Sequence, residues 1–71
     1  MTRKHFNLFA DMFKYQLNEI DTENQEVSIF QKNMLIDIIL ETMSIFEMLN
    51  PRFDRRRFWN ACGLGDYYTI N

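Results

Sequence analysis

The chain has 71 residues and a single cysteine, Cys62, so we expect one domain without an intrachain disulfide. Its lone histidine and the lack of Cys-x-x-Cys or His-x-x-x-His spacings argue against a metal site, and we expect no cofactor. A net charge of −2 excludes the strong basicity of a general nucleic-acid binder. Since so short a chain buries only about 60% of its surface on folding, its stability must come from close helix packing or self-association.

Nothing in the hydropathy pattern indicates a membrane protein or a signal peptide. Residues 1–6 are charged from the start and contain no apolar run. The longest uninterrupted apolar stretches, 34–36 and 38–40, are far shorter than a membrane span. We therefore expect a soluble, cytoplasmic protein.

The first predicted helix runs from Arg3 to Leu17, with Thr2 as its N-cap. Apolar residues recur there every three or four positions and form one face. They are Phe6, Phe9, Ala10, Phe13 and Leu17. The polar segment 18–25 predicts a loop, in which Thr22 or Asn24 would cap the next helix.

The second predicted helix covers Gln25 to Leu49 and is apolar nearly all round after Met34. Such a helix is normally buried, and two short helices cannot surround it. If the far side of this helix faced solvent, the chain would expose a larger apolar patch than monomers usually tolerate. The pattern predicts packing against a second copy of the chain, most simply as a homodimer. The predicted oligomer interface consists of Leu35, Ile36, Ile39, Leu40, Met43 and Phe46.

A third, short helix is predicted over residues 55–62. Pro51 ends the second helix, and Asp54 is the expected N-cap of the third. Phe53 and Phe58 have the spacing of a hydrophobic staple, and Gly63 that of a C-terminal left-handed residue. The fold class predicted is all-α, a short–long–short helical hairpin-like unit spanning residues 1–65 that assembles as an oligomeric bundle. Residues 66–71 form a C-terminal tail.

The Arg52–Arg57 run is the main candidate binding surface, because arginines interleaved with aromatic rings can bind phosphates and stack on bases. Two other interpretations stay open: Arg56 or Arg57 pairs with Glu41 or Glu47, or the run contacts a protein partner. Trp59 is predicted as core, as a subunit contact or as an exposed anchor. The candidate partner-binding residues are Arg52, Arg55, Arg56, Arg57, Trp59, Tyr67 and Tyr68.

The sequence contains no recognisable set of catalytic residues, so we do not expect an enzyme. Cys62 would need a base beside it to act as a nucleophile, and nothing in the sequence places His5 there. A small buried hydrophobe is the simpler interpretation of the cysteine. Asp37 and Glu41 share a helix face with Ser44, but without histidines they indicate a solvated stripe and not a carboxylate metal site.

The two ends of the chain resemble a family of very short proteins encoded by tailed bacteriophages and prophages. The opening Met-Thr-Arg-Lys-His-Phe and the pattern Asn-Pro-x-Phe-Asp-x-x-Arg-Phe-x-x-Ala-Cys-Gly carry the resemblance. Within that pattern, a helix stop, a cap, a staple and a C-terminal glycine explain most positions, and Arg57 is the one they leave unexplained. The resemblance implies a phage origin and a bacterial host cytoplasm, and it implies no activity.

The expected function is therefore a homo-oligomeric phage interaction protein that binds a host or phage macromolecule, as in host takeover or anti-defence. One alternative is a nucleic-acid-binding accessory protein that uses the Arg52–Arg57 run. The other is a binder of phosphate-bearing small ligands in a pocket between subunits, for which arginine is well suited.

Overall fold

A computed structural model describes residues 2–20 and 23–67, and the fold below is that of these residues. It contains three helices and no strand: α1 over Arg3–Asn18, α2 over Gln25–Leu49 and α3 over Arg55–Ala61. The all-α prediction is confirmed. At 1.5 Å per residue, α2 is about 37 Å long, roughly half as long again as α1. None of the described helices combines the length and the apolarity that crossing a membrane requires.

Side-chain caps fix the starts of the helices. The Oδ1 atom of Asn24 accepts hydrogen bonds from the backbone N–H groups of Glu26 and Val27, at 3.1 and 3.2 Å. Asp54 caps α3 in the same way, with Oδ1 3.0 Å from the backbone N of Arg57. These bonds satisfy amides that have no partner inside the helix.

Thr2 is the N-cap of α1, as predicted, and His5 completes the cap. The backbone N–H of Thr2 donates to Nδ1 of His5 at 3.2 Å, and the Thr2 hydroxyl lies 3.1 Å from the same nitrogen. His5 thus takes the place that Glu or Gln occupies in a capping box. The histidine is exposed, as a surface residue of a first helical turn would be.

All three helices contribute to one small core. Its buried members are Ala10 and Phe13 from α1, Ile36, Ile39, Met43 and Phe46 from α2, and Phe58, Trp59, Cys62 and Leu64 from α3 and the turn after it. Phe6, Leu17, Leu35, Leu40 and Phe53 pack against this core and are partly buried. No buried polar or charged side chain occurs among the described residues.

Phenylalanine rings connect the three helices at one end of the core. Phe46 of α2 contacts Phe6 at a centroid distance of 4.9 Å and Phe58 at 5.5 Å. Phe53, in the linker before α3, lies 4.9 Å from Phe6 and 5.4 Å from Phe58. Tilted and edge-on arrangements at these distances are favourable beyond the area they bury.

The predicted oligomer interface requires a correction. Ile36, Ile39, Met43 and Phe46 are at most 5% exposed, because α1 and α3 of the same chain cover them. Leu35 and Leu40 border that core and are half-buried. These six residues pack within the chain, so in this structure the surface left for a second chain is the opposite side of α2.

Candidate interaction surfaces

A row of apolar side chains covers the side of α2 that faces away from the core. These residues are 44–76% exposed, and we call them the outer face of α2: Val27, Phe30, Met34, Ile38, Ile45, Met48 and Leu49. Single exposed apolar residues are ordinary on protein surfaces, but a row of them along one helix is typical of an interaction site.

The spacing of the outer face is that of a coiled-coil seam. Val27, Met34 and Met48 are separated by multiples of seven residues, and Ile38 and Ile45 are separated by seven. Heptad repeats of this kind keep a single stripe directed at a neighbouring helix. Glu41 interrupts the stripe at the heptad position between Met34 and Met48, and Asp37 borders it seven residues after Phe30. This heptad spacing is visible in the sequence, but the buried side of α2 contains more apolar residues and so gives the stronger pattern.

The outer face continues toward α1. An open groove of about 340 Å³ lies between the end of α1 and the first half of α2. Gln16 and Ile20 line it on one side, and Met34 and Ile38 on the other. Leu8, Met12 and Tyr15 of α1 are also exposed and lie at spacings of four and three residues, on one side of that helix.

The arginine run separates into three environments. Arg55 forms an ion pair with Glu47 of α2, at 3.6 Å between Nη1 and Oε2. The pairing of Arg56 or Arg57 with Glu41 or Glu47 that the sequence suggested is not found among the described residues. Arg52, Arg56 and Arg57 are all exposed, and of these Arg52 and Arg57 border a common pocket.

That pocket, which we call the arginine pocket, lies where the start of α1 meets the linker before α3 and α3 itself. It encloses about 230 Å³ and lies within one chain, not between subunits. Its lining residues are Arg3, Phe6, Asn7, Asn50, Arg52, Phe53, Asp54, Arg57, Phe58 and Ala61. Sequence reasoning missed Arg3, which is 49 positions from Arg52 and joins it only because α1 packs against the chain's C-terminal third.

The aromatic members of the predicted binding surface have different positions. Trp59 is 1% exposed and belongs to the core, so it is not an exposed anchor. Tyr67 is exposed, and the Nζ atom of Lys32 lies 4.6 Å from its ring centroid, a cation–π distance. Tyr68 lies outside the described residues.

Cys62 is buried in the core, as its interpretation as a small hydrophobe predicted. Burial raises the pKa of its thiol to about 12, so the reactive thiolate is not formed at neutral pH. Across residues 2–20 and 23–67, no three His, Cys, Asp or Glu side chains come together as metal ligands could.

Comparison of the chain with protein-family models, with curated proteins and with solved structures finds no match. The functional proposals below are therefore based on the geometry of the two surfaces, together with the resemblance of the chain's ends.

Proposed function

We propose that this chain is a small phage-encoded interaction protein that forms homodimers in the cytoplasm of a bacterial host and binds a host or phage macromolecule without catalysis. The observation that carries the proposal is the outer face of α2, a heptad-spaced apolar stripe exposed on the monomer. Its burial in an assembly would remove from water seven of the thirteen large apolar side chains that are exposed among the described residues.

A second copy of the chain is the occupant that fits the outer face best. The stripe runs from Val27 to Met48, which is 21 positions or about 32 Å of helix. Two such stripes match each other in length and spacing, as the two-fold symmetry of a dimer requires. Helix pairs with heptad-spaced apolar seams pack knobs into holes without needing any other partner.

Glu41 favours an antiparallel arrangement of the two α2 helices. In a parallel, in-register pair the two Glu41 carboxylates would meet side by side in the seam, which is unfavourable. An antiparallel pair that crosses at Ile38 places them on opposite sides of the crossing, about 9 Å apart along the helix axis. In that arrangement Val27 of one copy faces Leu49 of the other, and Ile45 faces Gln31.

The non-catalytic part of the proposal is supported by the two residues most capable of chemistry. The Cys62 thiol is buried and protonated, and His5 is used in capping α1. The phage origin is supported by the resemblance of residues 50–63 to the phage pattern. In that segment the residues that end α2, cap α3 and form the staple account for most of the matched positions.

The test is a pair of substitutions of one type on opposite sides of the same helix. Ile38 and Ile29 are similarly exposed, at 50 and 60%, but they are nine residues apart and so point in opposite directions. Ile38→Glu should convert a dimer into a monomer in sedimentation equilibrium, whereas Ile29→Glu should leave the dimer intact. Circular dichroism of both variants checks that the helices are retained. Equal masses for the two variants would contradict assembly through the outer face.

Nucleic-acid binding is a second candidate function, because Arg3, Arg52 and Arg57 lie together on one side of the chain. A two-fold dimer presents two such sets. Phosphate contacts of this kind weaken steeply as salt rises, so a mobility shift of DNA or RNA that is present at about 20 mM salt and lost at about 200 mM would support it. The absence of any shift at the lower salt would argue against it.

A further inference from the structure

Beyond the dimer, the arginine pocket is the feature whose composition points most directly to a ligand. Three arginines, Arg3, Arg52 and Arg57, line a concavity of about 230 Å³ within one chain. None of the three forms an ion pair with any residue in 2–20 or 23–67, where the Arg55–Glu47 pair is the one found. Their planar forks of donors are suited to phosphate and carboxylate oxygens.

The positions of these arginines are not explained by a contribution to helix stability. Arg3 and Arg57 lie in the first turns of α1 and α3, where the helix dipole disfavours positive charge, and neither first turn carries an acidic residue. Three like charges around one pocket also repel one another. Their placement thus costs some stability in the unliganded chain, and an anion in the pocket would remove that cost.

The charge of the pocket fits a dianion. Asp54 also lines it, so three arginines and one carboxylate leave a net charge of about +2, close to the −1.5 to −2 of a phosphate monoester near neutral pH. The Asp54 carboxylate is fixed by its hydrogen bond from the backbone N–H of Arg57, which keeps one oxygen directed at the helix terminus. A carboxylate ligand, with one negative charge, would leave the pocket positive.

The floor of the pocket is aromatic. Phe6, Phe53 and Phe58 line it, and the Phe53 ring contacts both of the others. Arg3, Arg52 and Arg57 are exposed to solvent, so their attraction for a phosphate is screened by salt. The three phenylalanine rings offer a surface to a flat, weakly polar group attached to that phosphate. The volume is below that of most pockets for drug-sized ligands, which limits the ligand to a small molecule or to one end of a larger one.

We propose that the arginine pocket binds a nucleoside 5′-monophosphate, with the phosphate held by Arg3, Arg52 and Arg57 and the nucleoside against the phenylalanine floor. The phosphate can come from a free mononucleotide or from the 5′-phosphorylated end of a single strand. This proposal concerns one chain and does not depend on the dimer.

The experiment is calorimetric titration of the full chain with AMP and with a short oligothymidylate that carries a 5′-phosphate. Adenosine and the same oligonucleotide without the phosphate are the controls. Saturable binding of AMP and weaker or no binding of adenosine is expected, with the affinity falling as salt rises. Tighter binding of the phosphorylated oligonucleotide than of AMP would identify a strand end as the source of the bound phosphate. Tighter binding of AMP would identify the free nucleotide. No binding of either phosphorylated probe at low salt would overturn the proposal.

Neighbouring arginines of α3 provide the matched variants. Arg57→Gln should weaken AMP binding roughly tenfold or more, because it removes a charge-assisted contact to phosphate. Arg56→Gln makes the same change in charge one residue away, on an exposed position outside the pocket, and should change the affinity little. Arg52→Gln, in the linker, repeats the test without altering a helix. Equal losses of AMP affinity for Arg56→Gln and Arg57→Gln would mean that only the net charge of the chain matters. That result would contradict a defined binding site.

Discussion

The rings of Phe53 and Phe58 lie with their centroids 5.4 Å apart and their planes 57° to each other, on either side of the N-cap Asp54. This contact is the hydrophobic staple that the sequence predicted, and it sets the direction in which the chain enters α3. The same two rings contact Phe46 of α2, so the staple also joins the short helix to the long one.

Truncation of the staple should destabilise the fold. Phe53→Ala removes a half-buried ring that contacts three others, and we expect a loss of about 2 kcal/mol in the free energy of unfolding, measured by urea denaturation. Tyr15→Ala, which truncates an exposed ring of α1, is the control and should cost less than half as much. Similar losses of unfolding free energy for the two variants would mean that the Phe53 ring stabilises the fold no more than an exposed ring does.

Gly63 should tolerate few other residues. Its φ of +86° lies in the left-handed region, so Gly63→Ala should destabilise the protein by about 1 kcal/mol. The cause is the backbone conformation and not lack of space, because an added Cβ would lie 3.6 Å from the Lys14 side chain, an ordinary contact. Gly63→Asn should cost less, since asparagine adopts this conformation more readily. Thermal unfolding of the two variants checks the order, which a purely steric cause would reverse.

The buried thiol of Cys62 should make stability depend on pH in the alkaline range. Burial raises its pKa from 9.0 to about 12, so between these values the unfolded chain has lost the thiol proton and the folded chain has kept it. Rising pH therefore favours unfolding, by at most about 1.4 kcal/mol per pH unit from this group, and below pH 9 the thiol contributes no pH dependence.

Comparison with Cys62→Ala isolates this contribution from the tyrosines and lysines that titrate in the same range. The difference in unfolding free energy between the two proteins should shift in favour of the variant above pH 9 and stay constant below it. A constant difference throughout would show that the thiol is not shielded from water. Slow labelling of the native thiol by iodoacetamide at neutral pH, and fast labelling in urea, would be the chemical counterpart.

Local signals in the sequence were sufficient for the helices. The predicted bounds 3–17, 25–49 and 55–62 agree with Arg3–Asn18, Gln25–Leu49 and Arg55–Ala61 to within one residue, because Asn24, Asp54, Pro51 and Gly63 end or begin helices by mechanisms that act within a few residues. Amphipathic spacing likewise identified Phe6, Ala10, Phe13 and Leu17 as the inner face of α1. Phe9, expected on that face, is partly exposed at its edge and contacts Phe46.

Local signals do not show which side of α2 or α3 faces the core. An α2 that is apolar nearly all round has no polar side to indicate which residues face its own chain. The sequence pattern therefore predicts the subunit interface on the side with the most apolar residues. In the structure α1 and α3 cover that side. Trp59 was ambiguous for a similar reason, since a seven-residue helix packed on two neighbours buries adjacent positions such as Phe58 and Trp59. The meeting of Arg3 with Arg52 and Arg57 depends wholly on tertiary packing.

The mass of the unmodified chain in solution determines whether the chain forms a dimer. Light scattering across a dilution series should give twice the chain mass of 8.7 kDa, with dissociation only at low concentration. The dimer should persist at high salt, because the outer face of α2 is apolar and its association does not depend on ionic attraction. A mass of 8.7 kDa at every concentration would contradict self-association through α2.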